Sequence, residues 1–129
     1  MSSIKDLKAL LSDTSCDERF ARIYCCGTEE VQEQKDRADA VIDVFSAIFG
    51  VDSDREAALF SAPGRTEVGG NHTDHQHGCV LAASVNLDIL ACAAKNNTSV
   101  VRIQSEGYPM LEVDLNNLEP VEKEINTSP

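Results

Sequence analysis

The spacing of the apolar residues changes near Val51, and that change decides most of what the chain can become. Before it, apolar side chains recur every three or four residues, which puts them on one stripe of an α-helix; after it they alternate, as in a half-buried β-strand. Upstream, Ser2 and Ser3 are placed to cap a short helix with Ile4, Leu7 and Leu11 on one stripe. A second helical stretch follows Asp17, with Phe20, Ile23 and Tyr24 on one side and Gly27 placed to end it. Thr28 opens the longest helix. Its apolar side is Ala38, Val41, Phe45 and Ile48, its polar side Glu33, Lys35, Asp36 and Arg37, and Gly50 sits just past its end.

Downstream the alternation predicts a short strand at 58–62 and a second that turns Leu87, Ile89, Ala91 and Ala93 inward. A β-branched stretch at 99–105 follows the turn residues Asn96 and Asn97. The last strand places Leu111, Val113 and Leu115 on one face and Glu112 and Asp114 on the other. Helices followed by strands imply an α+β fold, N-terminal helices followed by an antiparallel or mixed sheet. From 118 onward the chain loses its period and ends in the polar run Asn126-Thr127-Ser128-Pro129. Nothing there covers the second face of the sheet, so that face is expected either to be covered by further polypeptide or to drive self-association.

Eleven basic against twenty-two acidic side chains give a net charge of -11. Such a surface repels a phosphate backbone, so nucleic acid is excluded as a partner, although a few cations and backbone amides can hold one small phosphorylated ligand. No apolar run approaches the roughly 20 residues that span a bilayer, and residues 1–12 alternate apolar with charged positions, unlike a signal peptide. The expectation is a cytoplasmic protein without a membrane partner. Five cysteines, none in C-x-x-C spacing, read as reduced thiols that pack as small apolar groups.

All three histidines, His72, His75 and His77, fall within six residues of one segment, 61–78, which also holds four glycines and one proline. Glycine and polar groups replace the apolar pattern where a backbone must come close to a ligand. Three readings fit these residue types. The segment is a polar hairpin connection with solvated histidines; or it is a hydrolase-like zinc site, since His72-Thr73-Asp74-His75 matches the second half of H-x-H-x-D-H; or it binds a polar small molecule. Gly70 stands where the zinc motif needs its first histidine, and metal is therefore not assigned.

The same string resembles the signature of the galactokinases, in the GHMP family of small-molecule kinases: G-R-x-N-(L/I/V)-I-G-(D/E)-H-x-D-Y, preceded by A-P. Gly64, Arg65, Gly70, His72, Thr73 and Asp74 fall in register, with Ala62-Pro63 before them and Gly78-Cys79-Val80-Leu81 after. The resemblance extends over about 35–118 and implies the fold of that family's amino-terminal lobe. It divides the chain into a helical extension at 1–34, part of the kinase amino-terminal domain at 35–118 with the signature at 61–78, and a tail at 119–129 beyond which the domain is expected to continue.

By the same resemblance, Arg65 takes the catalytic role beside the transferring phosphoryl group, where a fixed guanidinium stabilises developing charge. Asn71, His72 and Asp74 fall on the positions that bind sugar hydroxyls, with Glu67 and His75 as further candidates for sugar contact. ATP and Mg²⁺ are implied for the parent enzyme, and the small-molecule partner is galactose or a related sugar. The departures are Asn71 for an acidic residue, Glu67 for Asn, Gly69 for an apolar residue and His75 for Tyr. Asn71 removes a charge from the sugar site and adds an amide donor. The family's Gly- and Ser-rich ATP loop and its catalytic aspartate have no counterpart in the 129 residues. The reading is therefore the sugar-facing part of an ATP-dependent kinase, inactive by itself, with a non-catalytic sugar-binding module as the alternative.

Overall fold

A computed structural model describes residues 1–70, 77–117 and 119. The chain forms two compact units, Met1–Lys95 and Asn96–Pro129. The first carries the helices and the long hairpin. Ser2–Ser3 (β1) pairs antiparallel with the start of Glu56–Gly69 (β2), and Ile4–Ser12 (α1) follows directly. Ser3 caps α1, its Oγ accepting from the Asp6 N–H at 3.1 Å, while the Ile4 and Lys5 N–H groups donate to the Arg55 and Ser53 carbonyls, both at 2.9 Å. Donors that a helix start leaves without intrahelical partners are thereby satisfied.

After a 3-10 turn, Thr14–Cys16, the helix Asp17–Tyr24 (α2) ends on Cys25, which takes the left-handed conformation (φ 50°). Gly27, expected to end α2, instead caps Thr28–Phe49 (α3), where the Glu30 carboxylate reaches back to accept from the Gly27 N–H at 2.6 Å. Gly50, at φ 60°, ends α3 as expected. β2 and Leu81–Ala93 (β3) pair antiparallel into a long hairpin under the helices. The core is Ile4, Leu11, Ala38, Ile42 and Ala57, with Leu7, Phe20, Phe45, Leu59, Leu90 and Cys92 packed against it.

The α+β class and the antiparallel pairing agree with the sequence reading, and two details of facing do not. The buried stripe of α3 is Val31, Lys35, Ala38 and Ile42, rotated from the expected one, and Ile48 is exposed. Lys35 belongs to that stripe because its ammonium donates to Asp17 Oδ1 at 2.6 Å and to the Asp13 carbonyl at 2.9 Å; the contact with Asp17 raises its pKa. On β3 the inward residues are Leu90 and Cys92, whereas Leu87 and Ile89, expected inside, are 75% and 77% exposed. Alternation gives two faces but does not say which one meets the helices.

In the second unit, Val100–Ile103 (β4) and Leu111–Asp114 (β5) form a separate antiparallel pair, with Arg102 opposite Glu112 and joined to it at 2.8 Å. Asn96 and Asn97 make the expected turn: Asn96 Oδ1 accepts from the Thr98 N–H at 3.0 Å, and Asn97 has φ 55°. Leu115 lies beyond β5 and is half exposed, so the expected apolar face of this strand is shorter. Cys16, Cys25, Cys26 and Cys92 are thiols. Among the described residues, no helix is long and apolar enough to cross a membrane.

A polar cluster ties the helices of the first unit to the hairpin. The Asp88 side chain, on β3, is 3% exposed. Its Oδ1 accepts from Arg37 Nη1 at 2.5 Å, and its Oδ2 accepts from Tyr24 Oη at 2.9 Å and Ser61 Oγ at 2.5 Å. Arg37 Nη2 also donates to the Asp88 carbonyl at 3.0 Å. Burial alone would raise the pKa of Asp88; donation from Ser61, Arg37 and Tyr24 outweighs it and holds the carboxyl below its usual range. Burial, with the bond to Asp88, raises the phenol of Tyr24.

A carboxyl depressed in the folded state contributes stability that is in force above its unfolded pKa, about 4, and is lost as pH falls through the lower folded value. Asp88→Asn is expected to cost about 2 kcal/mol at neutral pH, because donors aimed at a charge are left with a weaker acceptor. The gap between variant and parent should shrink as the pH falls below about 4. Urea midpoints of both proteins across that range check this, and a gap independent of pH would remove Asp88 from the acid response.

Candidate functional site

The signature begins inside β2. From Ala58↔Ala93 to Pro63↔Asp88 the hairpin is regular; the next pair is Arg65↔Ser84, so β2 advances two residues while β3 advances four. Gly64 occupies the shift, where an added Cβ would lie 3.0 Å from Val85 Cγ2 and 3.2 Å from the Leu87 carbonyl oxygen. Pairing resumes for three residues, Arg65 to Glu67 against Ser84 to Ala82, and shifts again before Gly69↔Leu81. At Gly70 (φ 90°) a Cβ would come within 2.3 Å of the Cys79 carbonyl oxygen. That approach admits only glycine and draws the two sides of the hairpin together at the neck of the 71–76 segment.

Of the site residues read from the sequence, the structure places Arg65 and Glu67. Both are exposed on β2, and two positions apart in an evenly paired stretch they share one face. A guanidinium fork and a carboxylate side by side offer a donor set suited to anionic oxygen and an acceptor suited to a hydroxyl. Asn71, His72, Asp74 and His75 lie outside the described residues. His77 follows them in the left-handed conformation, at φ 60°. Among the described residues no three His, Cys, Asp or Glu side chains are grouped to hold a metal ion.

The sequence reading missed the cluster that borders this stretch. Asp88 faces Pro63 in the last regular pair before the first register shift, and Ser61 lies two residues upstream on the same strand. Only one signal pointed to it, an acidic residue interrupting the otherwise apolar run 87–94. Its partners Tyr24 and Arg37 are 64 and 51 residues away, a distance that no local pattern reports.

Residues 43–95 match the family model for the galactokinase galactose-binding signature. The galactokinase of Streptococcus suis strain 05ZYH33 is 38% identical over 77 residues, which are 57% of this chain and 19% of that protein. Those of Lactococcus lactis subsp. lactis strain IL1403 and subsp. cremoris strain MG1363 are 32% identical over 93 residues and 30% over 98, covering 72% and 74% of this chain but 23% and 24% of theirs. No solved structure matches. The chain thus spans about a fifth of the length of the curated relatives it matches. The signature thus lies on a hairpin whose two glycines seat against the opposite side, and the chain is similar to the amino-terminal part of the galactokinases.

Proposed function

We propose that the chain is the sugar-binding portion of a galactokinase-like kinase whose parent transfers the γ-phosphoryl group of ATP to the anomeric hydroxyl of galactose or a related sugar. The match of residues 43–95 to a galactose-binding signature carries this reading, since it spans both strands of the long hairpin and the residues between them. In the proposed site Asn71, His72 and Asp74 orient sugar hydroxyls, with Glu67 and His75 beside them, and Arg65 stabilises charge on the transferring group. The setting is the cytoplasm, where ATP is available.

The residues at hand do not fit ATP and Mg²⁺ by themselves. The chain has neither a G-x-x-x-x-G-K-(S/T) loop nor a P-x-x-x-G-L-S-S-S run, and the described residues gather no three metal-capable side chains. On this proposal those groups are held by the remainder of the parent, and the chain alone does not turn over. The outer face of the hairpin, with Phe60, Leu87 and Ile89 each more than half exposed, supports self-association as part of the same reading.

Titration with galactose, followed by backbone amide shifts, is expected to move signals from residues 65–78, and to move them less with the C4 epimer glucose; signals unmoved by any hexose would overturn the proposal. In the parent kinase, Arg65→Ala is expected to lower kcat by roughly 10² to 10³, the scale of removing one preorganised donor. A kcat near wild type would take Arg65 out of the reaction. Sedimentation should give a mass that rises with concentration and falls back to the monomer in Leu87→Ser/Ile89→Ser; a monomer at every concentration rules out self-association.

A further inference from the structure

We infer that Asp88 is a positioning residue for the signature: held by Tyr24, Arg37 and Ser61, its carboxylate fixes the register shift that delivers Arg65 and Glu67 to the site. The relevance of this to sugar binding rests on the function proposed above; the positioning itself rests on geometry. β2 must leave regular pairing immediately after Pro63, and a strand at such a shift has more than one register open to it. Pro63 has no N–H to contribute to the ladder at its pair with Asp88, so the backbone is a weak determinant of alignment there.

Side chains supply what the ladder lacks. Ser61 Oγ donates across the hairpin to Asp88 Oδ2 at 2.5 Å, locking β2 to β3 two residues before Pro63. The same carboxylate is fixed from the helix side by Tyr24 at the end of α2 and by Arg37 in α3, and Asn86 Nδ2 donates to the Tyr24 carbonyl at 3.4 Å within the extra residues of β3. Those extra residues, between Asp88 and Ser84, face Gly64 and are pinned at one end by Asp88. Moving Asp88 therefore frees the β3 side of the shift, and Arg65 is the first paired residue beyond it. Among the described residues the cluster's hydrogen bonds do not include Arg65, so it acts through the backbone it aligns.

Amide hydrogen exchange and galactose affinity, measured on the full chain, test the inference together. Asp88→Asn is compared with Ile42→Val, a core variant that loosens the same unit without touching the cluster, and Ser61→Ala provides a milder lesion should Asp88→Asn fail to fold. Exchange at 64–67 and 82–84 is expected to rise at least tenfold relative to 57–60 in the cluster variants, with the ratio unchanged in Ile42→Val. Galactose Kd should rise about tenfold in Asp88→Asn, less in Ser61→Ala, and stay within twofold in Ile42→Val. An unchanged exchange ratio in both cluster variants overturns the inference, whatever galactose does. A changed ratio in the cluster variants, together with a wild-type chain that binds no galactose, leaves the positioning standing and removes the sugar reading instead.

Discussion

A carboxylate taken out of water costs several kcal/mol unless donors replace its hydration, and the Met1–Lys95 unit is arranged around one such group. Asp88 receives a guanidinium from α3, a phenol from α2 and a hydroxyl from β2, so four elements meet at a single side chain. Each donor bond to a charge is worth about 1.5–3 kcal/mol, enough in sum to offset the desolvation. Apolar packing could not do the same work. The hydrophobic cluster joins α1, α3 and the early part of β2, but it ends at Leu59 on that strand, while the hairpin runs on to Gly69. Beyond the reach of the core, directional bonds rather than buried area set where the strands lie.

This explains which parts of the fold were legible in the sequence. The helices and their limits follow from local chemistry: Ser3 as a cap, Gly50 as a stop and the 3.6-residue stripe each depend on neighbours within one or two turns. The signature on the hairpin was legible because glycines, proline and histidines displace the apolar pattern there. What failed depends on partners far away. Lys35 reads as a polar-face residue, yet it is buried because Asp17 and the Asp13 carbonyl, on another element, receive its charge. Leu87 and Ile89 read as core because they are the larger apolar members of their alternation; the presence of Asp88 on the helix-facing row, with three donors waiting for it, turns them outward.

Two glycines that approach the opposite side of the hairpin bound the described part of the site. Gly64 lets β2 press against the extra residues of β3, and Gly70 closes the neck against Cys79. Between them lie three evenly paired residues, and Arg65 and Glu67 project from this short splinted segment. A charged group on such a segment loses little conformational freedom when a ligand arrives, which is the physical value of preorganisation. Of the departures from the family pattern, Glu67 lies on the splint, whereas Asn71 and His75 lie outside the described residues. Glu67 is exposed on β2, as either a carboxylate moved along the signature or a plain surface charge would be.

Charge sets the division of labour that the proposed function requires. A chain of net charge -11 is a poor host for a nucleotide triphosphate and a tolerant one for a neutral sugar, whose hydroxyls need paired acceptors rather than a positive field. Arg65 stands apart from the two other cations engaged in this unit's interior: Lys35 is spent on Asp17, and Arg37 is spent on Asp88. Arg65 is an exposed guanidinium on a splinted strand, with no acidic neighbour nearer in sequence than Glu67. On the proposed function, phosphoryl oxygens brought by another part of the parent enzyme would meet the Arg65 guanidinium here, while the bulk of the charge needed to hold them would come from outside this acidic segment.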